Sequence, residues 1–294
     1  MGHRDLGGEE VGQPETRLTV RGAQFRVSGL DGLRVLAALG VLICHFVAWR
    51  SGLWLGDQPF RGGLASAGAA FGIFGVDVFF AISGVVIPIT LTRQTPVSFL
   101  TARIARLFPA YWVAVLAGVG AYCLLGSGHT SLADVLINLT MMQSSAGVGD
   151  VFAAQWTLWA ELRFYLLAAG LCALGVTRRR LIAAATFWAP VAALCDRTDL
   201  HFASEILVAP YSPLFAGGLT IFGLLRWGLR SCAFWLALAE NVAFAAAWTG
   251  PARVRALATG TGGALDLTSG QVSVCIVACF TVVLVAALLR PSGR

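Results

Sequence analysis

A chain of 294 residues with 57% apolar side chains, 12% charged ones and a mean hydropathy of +0.76 lies far outside soluble usage, which excludes a water-soluble globular domain. All 21 basic residues are arginine, and the net charge of +6 is scattered over short segments between apolar runs. That scatter argues for membrane topology and anionic headgroups and against nucleic acid, which would need one basic face.

In chain order, residues 1–28 contain no apolar core, so they hold no cleavable signal and read as a solvated, disordered cytoplasmic tail. Apolar stretches of about 18 residues or more, long enough to cross a ~30 Å hydrocarbon layer as helix, follow at 31–50, 64–91, 109–126, 155–176, 180–196, 204–225, 231–249 and 271–290. The expected fold is an all-α polytopic transmembrane bundle of about eight spans (about 8–10). A shorter apolar piece at 131–145 reads as re-entrant or interfacial, and 291–294 as a cytoplasmic end. With the N-terminus inside, the inner segments hold 14 arginines, Arg93, Arg103, Arg106 and Arg178 to Arg180 among them; the outer ones hold Arg50, Arg61, Arg197, Arg253 and Arg255. This bias puts both termini in the cytoplasm of a multi-pass protein of the cell membrane.

Ionisable groups inside spans cost about 2.5–3.5 kcal/mol each on insertion scales, so they mark partners or sites. In the first span Arg34 and His45 are eleven residues apart, which sets them on one helical stripe about 16 Å apart along the axis. Asp31 lies one turn below, where it can partner the guanidinium. In the second span Asp77 sits near mid-membrane and needs a donor, while its glycines suit close helix packing. Residues 98–112 form an amphipathic helix with Arg103 and Arg106 on one side and Tyr111 and Trp112 suited to the headgroup level. The fourth span opens Gln155-Trp156-Thr157-Leu158-Trp159-Ala160-Glu161; in the topology above, Glu161 and His45 meet in the outer half, and Arg34, Arg103 and Arg106 collect on the inner side, where arginine suits phosphate. Asn138-Leu139-Thr140 matches the three-residue glycosylation pattern. The seven cysteines lack zinc or redox spacing, read as packing residues and imply no metal.

These residues resemble a known family. Leu-Asp-Gly-Leu-Arg with a His eleven after the Arg, Gly-Val-Asp-Val-Phe-Phe-Ala-Ile-Ser-Gly, Arg-Ile-Ala-Arg-Leu-Phe-Pro-Ala-Tyr-Trp, Asn-Leu-Thr and Trp-Thr-Leu-Trp-Ala-Glu-Leu-Arg-Phe-Tyr stand in the order of the acyltransferase 3 family of bacterial membrane O-acyltransferases. The blocks cover residues 29–167 and assign 29–290 to a membrane acyltransferase domain. The resemblance implies Arg34 and His45 as essential, with Arg103, Arg106 and Glu161 as supporting candidates; Glu161, at the depth of His45, is expected to be a catalytic partner that orients the imidazole. The resemblance also implies Arg34, Arg103 and Arg106 as ligands of acyl-CoA phosphates, and Asp31, Asp77, Ser83, Trp156 and Tyr165 as supporting residues. Acyl-CoA, with acetyl-CoA as the usual donor, is implied as co-substrate, and a hydroxyl of a glycan or glycosylated natural product as acceptor. His45 would act as general base or carry the acyl group covalently. The family's usual ten or so spans and its C-terminal Ser-Tyr-x-x-Tyr-like helix have no counterpart before Arg294. A catalytically impaired, truncated member and a transporter or flippase, which would also bury ionisable residues, are the other readings.

Overall fold

The computed structural model describes residues 28–49, 63–125, 131–152, 154–262 and 265–289. The expected tail, apart from Ser28, and the expected end at 291–294 lie outside the described residues. Among the described residues there is no strand, because in hydrocarbon a helix satisfies its own N–H and C=O groups. α1 (Ser28–Ile43) runs on into a π-turn at Cys44–Ala48, where Trp49 N donates to the Cys44 carbonyl at 2.8 Å. α2 (Leu64–Ala70) passes through a 3-10 turn into α3 (Phe74–Leu91). Then come α4 (Pro96–Leu125), α5 (Leu132–Leu139), α6 (Gln155–Leu174), α7 (Arg178–Arg197), α8 (His201–Ile206) and α9 (Ser212–Trp227). α10 (Cys232–Phe244) continues by a second π-turn at Ala245–Thr249 into α11 (Gly250–Gly260), and α12 (Ser269–Leu288) follows.

Six described helical runs are long and apolar enough to cross a membrane: Gly29–Ala48, Leu64–Leu91, Pro96–Leu124, Gln155–Leu174, Cys232–Gly260 and Ser269–Leu288. The two other stretches expected as spans are helical too. α9 has 16 residues, and α7 opens with three arginines and ends in Asp196 and Arg197. Two boundaries differ from expectation. The amphipathic segment at 98–112 and the span at 109–126 are one 30-residue helix, α4, with Pro109 inside it; a proline removes one N–H from the ladder and leaves the remaining bonds to carry the helix on. The segment after 249, expected as an outer loop, is α11. Gly250-Pro251 places proline in the first turn of a helix, where its missing N–H needs no partner, so the pair marks a junction inside a helical run.

α9 is the axis of the bundle. Every residue from Ser212 to Leu224 is buried, with α3, α7 and α10 packed around it. α3 and α9 touch backbone to backbone: a Cβ on Gly84 would meet the Phe215 carbonyl and one on Gly218 the Ala81 carbonyl. Small residues allow this approach, and dispersion along the seam is what holds helices together in lipid. Phe164 of α6, Phe215 of α9 and Trp188 of α7 stack beside the seam, with centroids 4.4 Å and 6.0 Å from Phe215. Outside lie α1 and α4, which bury few of their apolar residues, whereas the run containing α3 is mostly buried. Such bare apolar helices suit lipid contact and would be a large aggregation surface in water.

One polar cluster fixes where α6 begins. Tyr111 of α4 donates to the Asn138 carbonyl, and Gln155 Nε2 donates to Tyr111 Oη at 2.9 Å and Asn138 Oδ1 at 3.1 Å. Gln155 Oε1 accepts from Phe152 N at 3.0 Å, and Asn138 Nδ2 donates to the carbonyls of Asp134 and Gly149. Asn138 is thus sealed inside, so the glycosylation-like triplet is structural in this fold.

Two outcomes are expected in thermal unfolding of the detergent-purified protein. Gly84→Val should destabilise by about 1–3 kcal/mol or more through overpacking, whereas Gly32→Ala, with open space around it, should be near neutral. Gln155→Leu should cost about 1–3 kcal/mol by leaving buried partners unpaired.

Candidate active site

His45 lies in the π-turn that ends the first helical run. Its Nδ1 is 2.8 Å from the Val41 carbonyl. A carbonyl only accepts, so a neutral imidazole bonded there carries its proton on Nδ1 and its lone pair on Nε2. The ring stacks on Trp49 at 5.7 Å and 25°. The orienting partner is therefore the main chain of α1, and Glu161, expected to orient the ring, makes no hydrogen bond to it.

His45 faces a cavity of about 400 Å³ between α1, α3, α6 and α11. Ser83 of α3, Trp156 and Glu161 of α6, Tyr211 before α9 and Arg253 of α11 line the same space. Glu161 Oε1 accepts from Ser83 Oγ at 3.4 Å and from Tyr165 Oη. Arg103 of α4 stacks over Tyr165 at 5.7 Å and Phe99 at 5.4 Å and donates to Thr90 Oγ1 at 3.2 Å. Arg34, half-buried on α1, is within electrostatic reach of Arg103 and Tyr165. Sequence-expected residues thus form two groups joined through α6: His45, Ser83, Trp156 and Glu161 around the cavity, and Arg34, Arg103 and Tyr165 toward the start of α1 and α4. Arg106 is also within electrostatic reach of Arg103, while Asp31 stands apart. Both are exposed, and Asp31 forms no ion pair with Arg34.

The donor that Asp77 requires is Arg253. Asp77 has no exposed surface and Arg253 is 3% exposed. Arg253 Nε lies 3.1 and 3.2 Å from the two carboxylate oxygens, and Nη2 also donates to Oδ1. The guanidinium lies 5.8 Å from the Trp156 ring and 5.4 Å from the Tyr211 ring, which stack on each other at 4.8 Å. Sequence reasoning missed Arg253 and Tyr211, since Arg253 follows Gly-Pro and precedes Arg255 in what reads as an outer loop. The signal that could have found it was the demand of Asp77 for a cation.

In chemical terms the cavity brings a base with a free lone pair, a carboxylate, a hydroxyl and a guanidinium into an aromatic-walled space. That set can deprotonate a hydroxyl and stabilise a developing negative charge.

Comparison with known proteins bears on which chemistry this is. A family model described as an acyltransferase domain matches residues 27–294. Among curated proteins, the exopolysaccharide production protein ExoZ of Rhizobium meliloti (strain 1021) is 36% identical over 108 residues, which is 34% of this chain and 34% of that protein. The chain thus aligns with about a third of the length of that relative. No solved structure matches it. With a multi-pass helical fold and a family match over all its described residues, the chain belongs to the acyltransferase 3 family.

Proposed function

We propose that the protein is an integral-membrane O-acyltransferase of the cell membrane that moves an acyl group, acetyl in the simplest case, from acyl-CoA to a hydroxyl of a carbohydrate. The observation that carries this reading is the Nδ1 bond of His45 to the Val41 carbonyl, which leaves the Nε2 lone pair free on a ring that lines the cavity. The carbohydrate acceptor is supported by the likeness to a protein named for exopolysaccharide production.

In this reading the phosphates of CoA meet Arg34, Arg103 and Arg106, charge-assisted donors that suit phosphate oxygens. The pantetheine arm runs along α1 toward the cavity. Eleven residues of helix separate Arg34 from His45, about 16 Å at 1.5 Å per residue, the order of length of that arm. The acceptor enters the cavity against Trp156 and Tyr211, and Glu161, braced by Ser83 and Tyr165, accepts a hydrogen bond from it. His45 Nε2 takes the hydroxyl proton as the oxygen attacks the thioester carbon, and returns it to the departing thiolate. Fixing the base, carboxylate and arginines on packed helices holds the reactants in register.

The test is acceptor-dependent release of free CoA thiol by protein in nanodiscs, with acetyl-CoA and longer acyl-CoAs and a panel of sugars. His45→Ala is expected to lower turnover about 10²–10⁴-fold while acyl-CoA binding persists. Arg103→Ala is expected to raise KM for acyl-CoA with kcat nearly unchanged, the mark of lost uniform binding. Binding without turnover across all acceptors would favour an impaired member, and no binding by a folded sample would point to transport.

A further inference from the structure

The ion pair at the cavity wall leaves one edge of a guanidinium uncommitted. Arg253 spends Nε and Nη2 on Asp77, while Nη1 makes no hydrogen bond among the described residues. The residue is 3% exposed and lines the cavity beside His45, so a molecule in that cavity, and not bulk solvent, is what the uncommitted Nη1 can serve. Asp77 on one edge and the stacked Trp156 and Tyr211 rings against the guanidinium fix its plane.

The charge balance says what this edge is suited to hold. Asp77 neutralises Arg253, so the pair offers strong, oriented donors with no net charge. A permanent anion would lose its hydration there without a net countercharge to offset the loss. An oxygen that becomes negative only during reaction loses little on binding and gains as its charge develops, more so in an aromatic, water-poor space.

We propose that Arg253 is a catalytic residue of the acyl transfer, whose Nη1 donates to the acyl carbonyl oxygen as it becomes an oxyanion. This rests on the acyltransferase reading above. The acceptor hydroxyl oxygen bonds to the carbonyl carbon, its proton passes to His45 Nε2, and the carbonyl π pair moves onto the oxygen held by Arg253. Collapse of the tetrahedral intermediate re-forms C=O, breaks C–S and sends the proton from His45 to the thiolate. Atoms and charge balance with no further reactant.

The experiment compares wild type, His45→Ala and the double variant Asp77→Asn with Arg253→Gln, which removes both buried charges together and leaves neither alone. Each is measured for thermal midpoint, acyl-CoA binding and steady-state transfer in nanodiscs. The expected result for the double variant is a loss of about 10²–10³-fold in kcat, the size seen when one oxyanion donor is removed, with acyl-CoA binding changed less than about threefold. A folded double variant that keeps kcat within about threefold of wild type overturns the proposal. If the double variant does not fold, Arg253→Lys, which keeps the ion pair but not the planar fork, carries the test: an unchanged kcat overturns the proposal, and a loss of about tenfold or more at unchanged acyl-CoA KM supports it. Wild type that transfers nothing, although folded, removes the acyltransferase reading and this inference together. Transfer that His45→Ala abolishes and the double variant spares removes this inference alone.

Discussion

A carboxylate with no exposed surface inside a helical bundle requires a cation within bonding distance, and in this protein that cation comes from 176 residues away. Losing one member of such a pair typically costs about 3–5 kcal/mol, because the other is left as an uncompensated buried charge. The Asp77–Arg253 bond therefore determines more than its own neighbourhood. It draws α11 into the bundle in place of an external loop. It presses the guanidinium against Trp156 and Tyr211, and through them it couples the start of α6 to the start of α9. The wall of the cavity is a by-product of satisfying one aspartate.

The cavity's other wall is set by backbone geometry. One π-turn, Cys44–Ala48, carries His45 to the cavity, and the other, Ala245–Thr249, leads into the helix that carries Arg253. A π-turn adds a residue to the helical circuit and often falls at functional sites. Here it means that the face of His45 cannot be extrapolated from ideal α-helix geometry along the whole of the first run. Glu161 and Tyr165, one turn apart on α6, link this chamber to the arginine-rich group of Arg34 and Arg103. The His45 cavity and the Arg34–Arg103 group thus occupy different levels of one bundle.

Much of this was legible in the sequence. Apolar run lengths gave the all-helical class, and the rule against unpaired charge in lipid marked Arg34, His45, Asp77 and Glu161. Two of these, His45 and Glu161, line one cavity together with Ser83 and Trp156, which the family resemblance added. What was not legible was partner choice across long separations. Hydropathy reads a stretch by its own composition, so Gly250-Pro251 followed by two arginines looked like a loop; that one of those arginines is neutralised by Asp77 is a tertiary fact. Similarly, Glu161 on the imidazole was a reasonable pairing by depth, but a main-chain carbonyl one turn away reached Nδ1 first. Local main-chain acceptors are invisible to motif reading because every residue carries one.

The burial of α9 bears on how such a protein is made. Sixteen residues of helix extend about 24 Å, short of a ~30 Å hydrocarbon layer. Alone in a bilayer α9 would force the lipid to thin around it, at a cost that grows with each ångström of mismatch. In the finished bundle it meets no such penalty, since its neighbours sheathe it. Ribosomal order helps: α3, which supplies the closest seam, has left the ribosome long before α9 emerges, and α10 follows directly after. The axis of the molecule is thus a helix whose stay in the membrane depends on companions already there, so errors of membrane insertion should concentrate at this segment rather than at the lipid-facing helices that look most hydrophobic.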